Sequence, residues 1–522
     1  MKLITLKLAA IMWIAVLLGC TNSPKKETIQ NYYKEEYRPQ FHFSPAENWM
    51  NDPNGMFFYE GEYHLFYQYY PDSTVWGPMH WGHAVSTDMV HWTHLPVALA
   101  PDEHGYIYSG SAVVDWKNTS GLGKNDQPPL IAIFTYHDPV KEREGKINFE
   151  SQGLAYSNDK GRTWTKYGNP VLGNPGIRDF RDPKVIWYEA AGKWIMTLAV
   201  KDHVAFYSSS NLIDWKKESE FGKGVGAHGG IWECPDLFPL EDKETGTKKW
   251  ILSVSINPGG PNGGSATQYF VGDFNGNTFS TPQSQERWMD YGRDNYAGVT
   301  WSDMPKQDGR RVVLGWMSNW SYAELVPTEK WRSATTIPRE LVLKNTDNGY
   351  LVTSVPIAEL KKIRKEKIEL PSQVVSGNVP LNLSEVSPMQ AEMAFNFQLK
   401  RNSQFGIPEE FGLVFSNDEE EEFRIGYSIS EKYFFTDRTH GGKSSFFERF
   451  AGKSVAAYDM DDKMQIRVFA DKASVEVFVD GGKLVFTDIV FPTTPYDKVT
   501  LFSHNGSIKL NESVVWSLSS VW

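Results

Sequence analysis

Short stretches in which aromatic and β-branched residues alternate with small polar ones recur along the first two thirds of the chain. They are Tyr63–Tyr69, Leu130–Tyr136, Trp194–Val200, Trp250–Ile256 and Arg311–Met317. Their texture predicts β-strands. A spacing of roughly sixty residues suits four strands with their loops, one blade of a β-propeller, so five such stretches predict five blades. A second element runs in step: Ser86-Thr87-Asp88 leads to Trp92, Ser157-Asn158-Asp159 to Trp164, and Ser209-Ser210-Asn211 to Trp215. Each reads as a turn that enters a strand through a buried tryptophan. No long amphipathic helix is predicted before residue 356, where Pro356–Lys367, with Leu360, Ile363 and a basic run, reads as a short linker helix. Beyond it the alternation of Ala391–Leu399, Phe411–Ser416, Phe423–Ile429, Met464–Ala470 and Ser474–Val479 between charged turns predicts a second all-β unit. The expected fold is therefore all-β, a five-bladed propeller over 37–355, a linker over 356–374 and a β-sandwich over 375–522.

Composition narrows the function. Aromatics make up 14% of 522 residues, which fits a chain with a large core and excludes disorder. A formal net charge of −11 argues against a surface that neutralises phosphates, so no nucleic acid is expected as partner. Lys2 and Lys7 precede an apolar run, Leu8–Leu18, that ends in Gly19-Cys20. This is a signal peptide over 1–19, since a spanning helix needs about 20 apolar residues. Leu17-Leu18-Gly19-Cys20 resembles the bacterial lipobox, which implies cleavage before Cys20 and lipidation there. The expectation is an exported bacterial lipoprotein held to a membrane (outer membrane, periplasmic or surface-facing) through Cys20, with 20–36 as a polar tether. Only Cys234 then remains, and no intrachain disulfide can form.

Candidate chemistry lies just before the repeated strands. Asp52-Pro53 precedes Tyr63, Asp182-Pro183 precedes Trp194, and Glu233-Cys234-Pro235 precedes Trp250, the last interval lengthened by the polar insertion Glu241–Gly246. The three acids are thus expected at equivalent places. The first strand of every blade lines a propeller's channel, so equivalent positions converge. Convergent carboxylates are what glycoside hydrolysis requires. Singly, each has a plainer reading: a turn aspartate in Asp52-Pro53-Asn54-Gly55, an Arg181–Asp182 ion pair, and a strand-end acid at Glu233. Three at one repeat phase point to a site. His80 and His83 lack partners at metal-ligand spacing and are expected to pack or hydrogen-bond. No metal and no cofactor motif is present in the sequence.

At these residues the chain resembles glycoside hydrolase family 32, the invertases, inulinases and levanases. The matching motifs are Trp49-Met50-Asn51-Asp52-Pro53-Asn54-Gly55, Trp81-Gly82-His83-Ala84-Val85-Ser86, Tyr108-Ser109-Gly110-Ser111-Ala112-Val113, Arg181-Asp182-Pro183 and Glu233-Cys234-Pro235-Asp236. Trp316-Met317-Ser318-Asn319-Trp320, Pro338-Arg339-Glu340-Leu341 and Asp471–Gly481 extend the likeness over nearly the whole mature chain. It implies a propeller followed by a sandwich, and retaining cleavage of β-fructofuranosyl linkages without cofactor. Carried over, Asp52 is the nucleophile, Glu233 the general acid/base and Asp182 the transition-state stabiliser, kept ionised by Arg181 beside it. The family's binding positions fall on Trp49, Met50, Asn51, Gln68, Trp76, Tyr108, Ser109, Arg181, Tyr296 and Trp316. The surroundings of Tyr108, Asp102-Glu103-His104-Gly105 and Asn118-Thr119-Ser120-Gly121, look more like levanases and exo-fructosidases than invertases. The resemblance thus favours levan, over inulin or sucrose, with fructose released from chain ends. An endo-acting levanase releasing fructo-oligosaccharides and an inert fructan-binding lipoprotein are the alternatives. The C-terminal unit, without a binding constellation of its own, is expected to act as a buttress.

Overall fold

The computed structural model describes residues 33–383, 386–400 and 406–522. The stretch expected to be a signal peptide, Cys20 and most of the expected tether lie outside the described residues. The five stretches read as strands are the second strands of five antiparallel sheets. The first strands of these blades are Asn48–Tyr59, Tyr106–Val114, Phe180–Tyr188, Ile231–Glu241 and Tyr296–Thr300, and they stand side by side around the channel. A two-residue strand, Trp331–Arg332, leaves the fifth blade and pairs in parallel with Asn48-Trp49 of the first, joining last blade to first. This contact closes the ring and covers the inner edge of the first blade.

The repeated turns follow the third strands of three blades. Ser86 Oγ accepts from the backbone of Asp88 (3.0 Å) and Met89 (2.8 Å), Ser157 Oγ from Gly161 (3.0 Å), and Ser209 Oγ from Asn211 (3.1 Å). Side-chain oxygen thus satisfies the backbone of a tight reversal. Trp92, Trp164 and Trp215 do precede fourth strands but are only half-buried, because the outermost strand of a blade meets solvent.

The stretch read as a linker helix is a 3₁₀ segment, Ala358–Ile363, whose Leu360 and Ile363 are buried, followed at once by a strand, Arg364–Leu370. That strand pairs with Ser513–Leu518 in the C-terminal unit. The sandwich strands anticipated from alternation are present within a residue at each end. A buried ionic network ties sandwich to propeller: His42 bonds Asp471 and Glu476 (2.8 Å each), and Arg339 bonds Asp290 (2.8 Å) and Glu476. Every charge in it is paired, which is the condition for keeping ions out of water.

Candidate active site

Each first strand carries one extra residue relative to its neighbour at the same height. Two residues face one between Met50 and Pro53, Ile107 and Gly110, Arg181 and Lys184, Glu233 and Asp236, and Tyr296 and Val299. These are β-bulges, which bend a strand and re-aim its side chains. Asp182, Cys234 and Ala297 take positive φ there (63°, 47° and 52°), a conformation L-residues avoid unless their surroundings impose it. Adjacent blades impose it: the Asp182 N–H donates to Thr135 Oγ1 (3.0 Å), the Val185 N–H to Ser111 Oγ (2.9 Å), and the Ala297 N–H to Ser255 Oγ (3.0 Å).

The three acids do converge, but not from equivalent places. Glu233 is the last paired residue before its bulge, Asp182 the first residue of its own and Asp52 the second of its own. Spacing to the next strand counts loop residues as well as strand residues, and so hid this stagger. Its effect is to bring three carboxyl groups to one mouth of the channel without stacking them at one level.

Three donors meet the two oxygens of Asp52. Asn51 Nδ2 reaches Oδ1 at 3.0 Å, while Ser109 Oγ at 2.7 Å and Cys234 Sγ at 3.3 Å reach Oδ2. Burial, then Asp52, Asp182 and Glu233, push the Cys234 thiol well up, so the sulfur keeps its proton and donates. Asn51 is held in turn by the indole N–H of Trp49 (2.8 Å). The Cys234 N–H donates to Asp182 Oδ2 at 3.0 Å. Glu233, its side chain 20% exposed, receives Nε of Arg181 on Oε1 (3.1 Å) and the Tyr296 hydroxyl on Oε2. Arg181 also binds Glu150 (3.1 Å) and Asp179 (2.9 Å).

Asp182 was expected to be kept ionised by Arg181. Instead burial, with the charges of Glu233 and Asp52 added, pushes its carboxyl up to about 8, against the pull of Arg181. The guanidinium is turned to Glu233, Glu150 and Asp179, and its attraction for Asp182 is outweighed. Carboxyl groups packed this closely retain a proton among them at neutral pH.

The pocket above the acids is about 280 Å³. Of the positions named from sequence, Asn51, Asp52, Gln68, Trp76, Tyr108, Ser109, Arg181, Asp182 and Glu233 line it. The Gln68 side-chain nitrogen is buried and unpartnered. Trp49, Met50, Tyr296 and Trp316 are fully covered and do not line it. They support it: Trp49 through Asn51, Tyr296 through Glu233, and Trp316 by packing on Trp49 and Trp320 (ring centroids 6.1 and 4.9 Å). Sequence reasoning missed His137, Glu142, Phe149, Glu150, Arg178, Asp179 and Asn257. Only Trp320 among the added lining residues lay inside a motif already singled out. Glu142 sits on a five-residue helix, Pro139–Arg143, started by Pro139 and capped by Asp138 Oδ1, which accepts from Val140 and Lys141. Its carboxylate meets His137 Nε2 at 2.9 Å on the rim. His83 stacks on Phe66 (4.0 Å) and bonds His64 (3.0 Å), and His80 donates to the Pro78 carbonyl (2.9 Å), packing and bonding as expected.

Paired, differently surrounded carboxyl groups in a pocket that admits about one sugar ring define a glycosidase-type site. The comparisons agree. The profile of the N-terminal domain of glycosyl hydrolases family 32 matches residues 42–354 and that of the C-terminal domain residues 359–517. The chain belongs to this family and is a glycoside hydrolase. It is 49% identical to a levanase of Bacillus subtilis over 498 residues, 94% of this chain and 72% of that one. It is 37% identical to an extracellular exo-inulinase of Aspergillus awamori, over 94% of this chain and 96% of that one. The crystal structure of the exo-inulinase from Aspergillus awamori superposes with a TM-score of 0.85 at 34% identity, covering 94% of this chain and all of the other.

Proposed function

We propose that this chain is an exo-acting, retaining β-fructosidase that releases fructose from the ends of a β-fructan, levan first. The single observation that carries the reading is the donor set on Asp52: three hydrogen bonds converge on it and fix its rotamer, as attack on an anomeric carbon requires. Glu233 is the most exposed of the three acids, as a group that must reach the leaving oxygen has to be, and in this reading it protonates the glycosidic oxygen as Asp52 attacks. The C–O bond breaks and a fructosyl ester forms on Asp52. Water, deprotonated by Glu233, then attacks the same carbon, releases fructose and restores both carboxyl groups. Asp182 offsets positive charge on the ring carbon in both steps. The proton shared by the carboxyl cluster therefore has to lie on Glu233 once substrate displaces water and the ring hydroxyls engage Asp182.

The exo mode is supported by the pocket's small volume, and by Trp76, Tyr108, Arg178 and Trp320 around it. Levan is favoured by the 49% identity to a levanase. The same reading holds the enzyme on a membrane through a lipid on Cys20, supported by Leu17-Leu18-Gly19-Cys20. No helix among the described residues is long and apolar enough to cross a membrane. A product time course on levan, inulin and sucrose tests the catalytic reading. Fructose alone from the first minutes is the expected result; an early ladder of oligosaccharides would make the enzyme endo-acting, and no product from any of the three would overturn the reading. Incorporation of labelled palmitate that Cys20→Ala abolishes tests the anchor.

A further inference from the structure

The strands that carry the acids to one mouth of the channel continue to the other. Tyr59 lies seven residues beyond Asp52 on one strand that bulges twice, so the two are at most about 23 Å apart at about 3.3 Å per residue. There a second cavity opens, of about 800 Å³, nearly three times the catalytic pocket. On its rim Trp116 is 60% exposed, yet it is not loose. Its indole N–H donates to Asp303 Oδ1 at 2.9 Å, and the other oxygen of that carboxylate receives the Val114 N–H at 2.9 Å. The Tyr59 ring packs beside it at 5.8 Å. Trp187, also lining the cavity, is braced edge-on by Trp194 at 5.0 Å and covered by the Lys117 ammonium at 4.5 Å. Trp116 and Trp187 together give one cavity an ordered aromatic lining, the kind of surface on which the face of a sugar ring rests.

Deeper in, Asp236 is completely buried. Its Oδ2 accepts from the Thr300 N–H (2.6 Å) and pairs with Lys184 Nζ (3.3 Å), while Oδ1 has no partner. One oxygen of this buried carboxylate on the cavity wall is therefore left without a protein donor. The charges decide which ligand. The lining acids are Glu60, Glu189, Asp236 and Asp303. They are balanced in number by the lining bases Lys117, Lys184, Lys306 and Arg311. Neither an anion nor a cation gains from such a lining. A neutral chain with hydroxyl groups along its edges and C–H groups on its faces matches it, the faces lying on indole and the hydroxyls bonding paired carboxylates and cations.

We propose that this opposite mouth is a second, non-catalytic binding site for a neutral polysaccharide, the same fructan on which the catalytic pocket acts; the choice of fructan rests on that catalytic reading. Holding one stretch of a polymer keeps chain ends near the enzyme and raises their effective concentration at the pocket. Short substrates gain nothing from it.

The test is native electrophoresis in gels cast with and without levan, using Asp52→Asn protein so that the polymer survives. Its partner measurement is hydrolysis by otherwise unaltered enzyme. Adding Trp116→Ala is expected to weaken retardation by levan about three- to tenfold, the range for loss of one aromatic contact. Trp116→Tyr, which keeps a flat ring, should restore part of it. In active enzyme Trp116→Ala should leave kcat/KM on sucrose unchanged and lower the rate on dilute levan by a similar factor. The proposal is overturned by retardation equal to that of the parent, by a parent that levan does not retard although the wild type hydrolyses it, or by equal losses on sucrose and levan. If the wild type cleaves no fructan yet Trp116→Ala still abolishes retardation, the catalytic reading fails and the second site stands.

Discussion

Asp182→Asn separates charge from shape at the centre of the site. Asparagine tolerates a φ of 63° better than any other residue save glycine, and its amide oxygen can still accept the Cys234 N–H now bound at 3.0 Å. The bulge is therefore retained and only the negative charge is lost. One sulfur, Cys234 Sγ, lies 3.3 Å from Asp52 Oδ2 and 3.7 Å from Asp182 Oδ2, so the two oxygens are no more than about 7 Å apart. At an effective dielectric constant of about 20, unit charges at that range repel by at least about 2.4 kcal/mol, or roughly 1.7 pH units. In the wild type this repulsion, with burial, raises the Asp182 carboxyl to about 8 and keeps a proton in the group at neutral pH. Activity of the wild type should thus fall as pH rises through about 8, when that proton is lost. Removing the charge makes the remaining proton easier to lose, so the alkaline limb of kcat/KM on sucrose should move down by about one unit or more. The plateau should also fall by about 10²- to 10³-fold, since a neutral amide cannot offset charge on the fructosyl carbon. Profiles of both proteins from pH 4 to 10 measure the two effects together. An alkaline limb that stays in place, or moves up, would refute the shared proton; a plateau within threefold of wild type would refute the role of the charge.

Ser109→Ala removes one charge-assisted hydrogen bond, about 1.5–3 kcal/mol, from Asp52 and should cost roughly 10- to 100-fold in kcat/KM while lowering the melting temperature by no more than a few degrees. Gly110→Ala places a Cβ 2.1 Å from the Ile133 carbonyl oxygen, so thermal unfolding should show a loss of about 1–3 kcal/mol. His42, whose burial is outweighed by Asp471 and Glu476, is raised from 6.5 to about 9. The charged form accordingly contributes about 3 kcal/mol that is fully present below pH 6.5 and lost as pH rises through 9. Denaturant titrations should show that decline, and His42→Gln should remove the slope while lowering stability at pH 6; a slope that persists in the variant would discount the pairing.

Much of this enzyme was legible in its sequence because the relevant signals are local. A strand buried on both faces and a turn closed by serine need only neighbouring residues, so recurrence exposed five blades, and the acids before three of them marked one mouth of the channel. The tryptophans were not resolved by the same means. A ring suits a core as well as a sugar, and only packing showed that Trp49 and Trp316 support the pocket while Trp76 lines it. Nor could sequence place the acids at different positions relative to their bulges, since bulges arise from pairing with a second strand and are held by donors from the next blade. The direction of Arg181 is likewise tertiary: adjacency to Asp182 along the chain suggested a partner, but Glu150 and Glu233, brought in from other strands, take the guanidinium. Sequence determined the repeat, the residue types and their order. Ring closure decided which side chains share a space, because charge repulsion, burial and hydrogen-bond geometry depend on distances between blades that no local pattern contains.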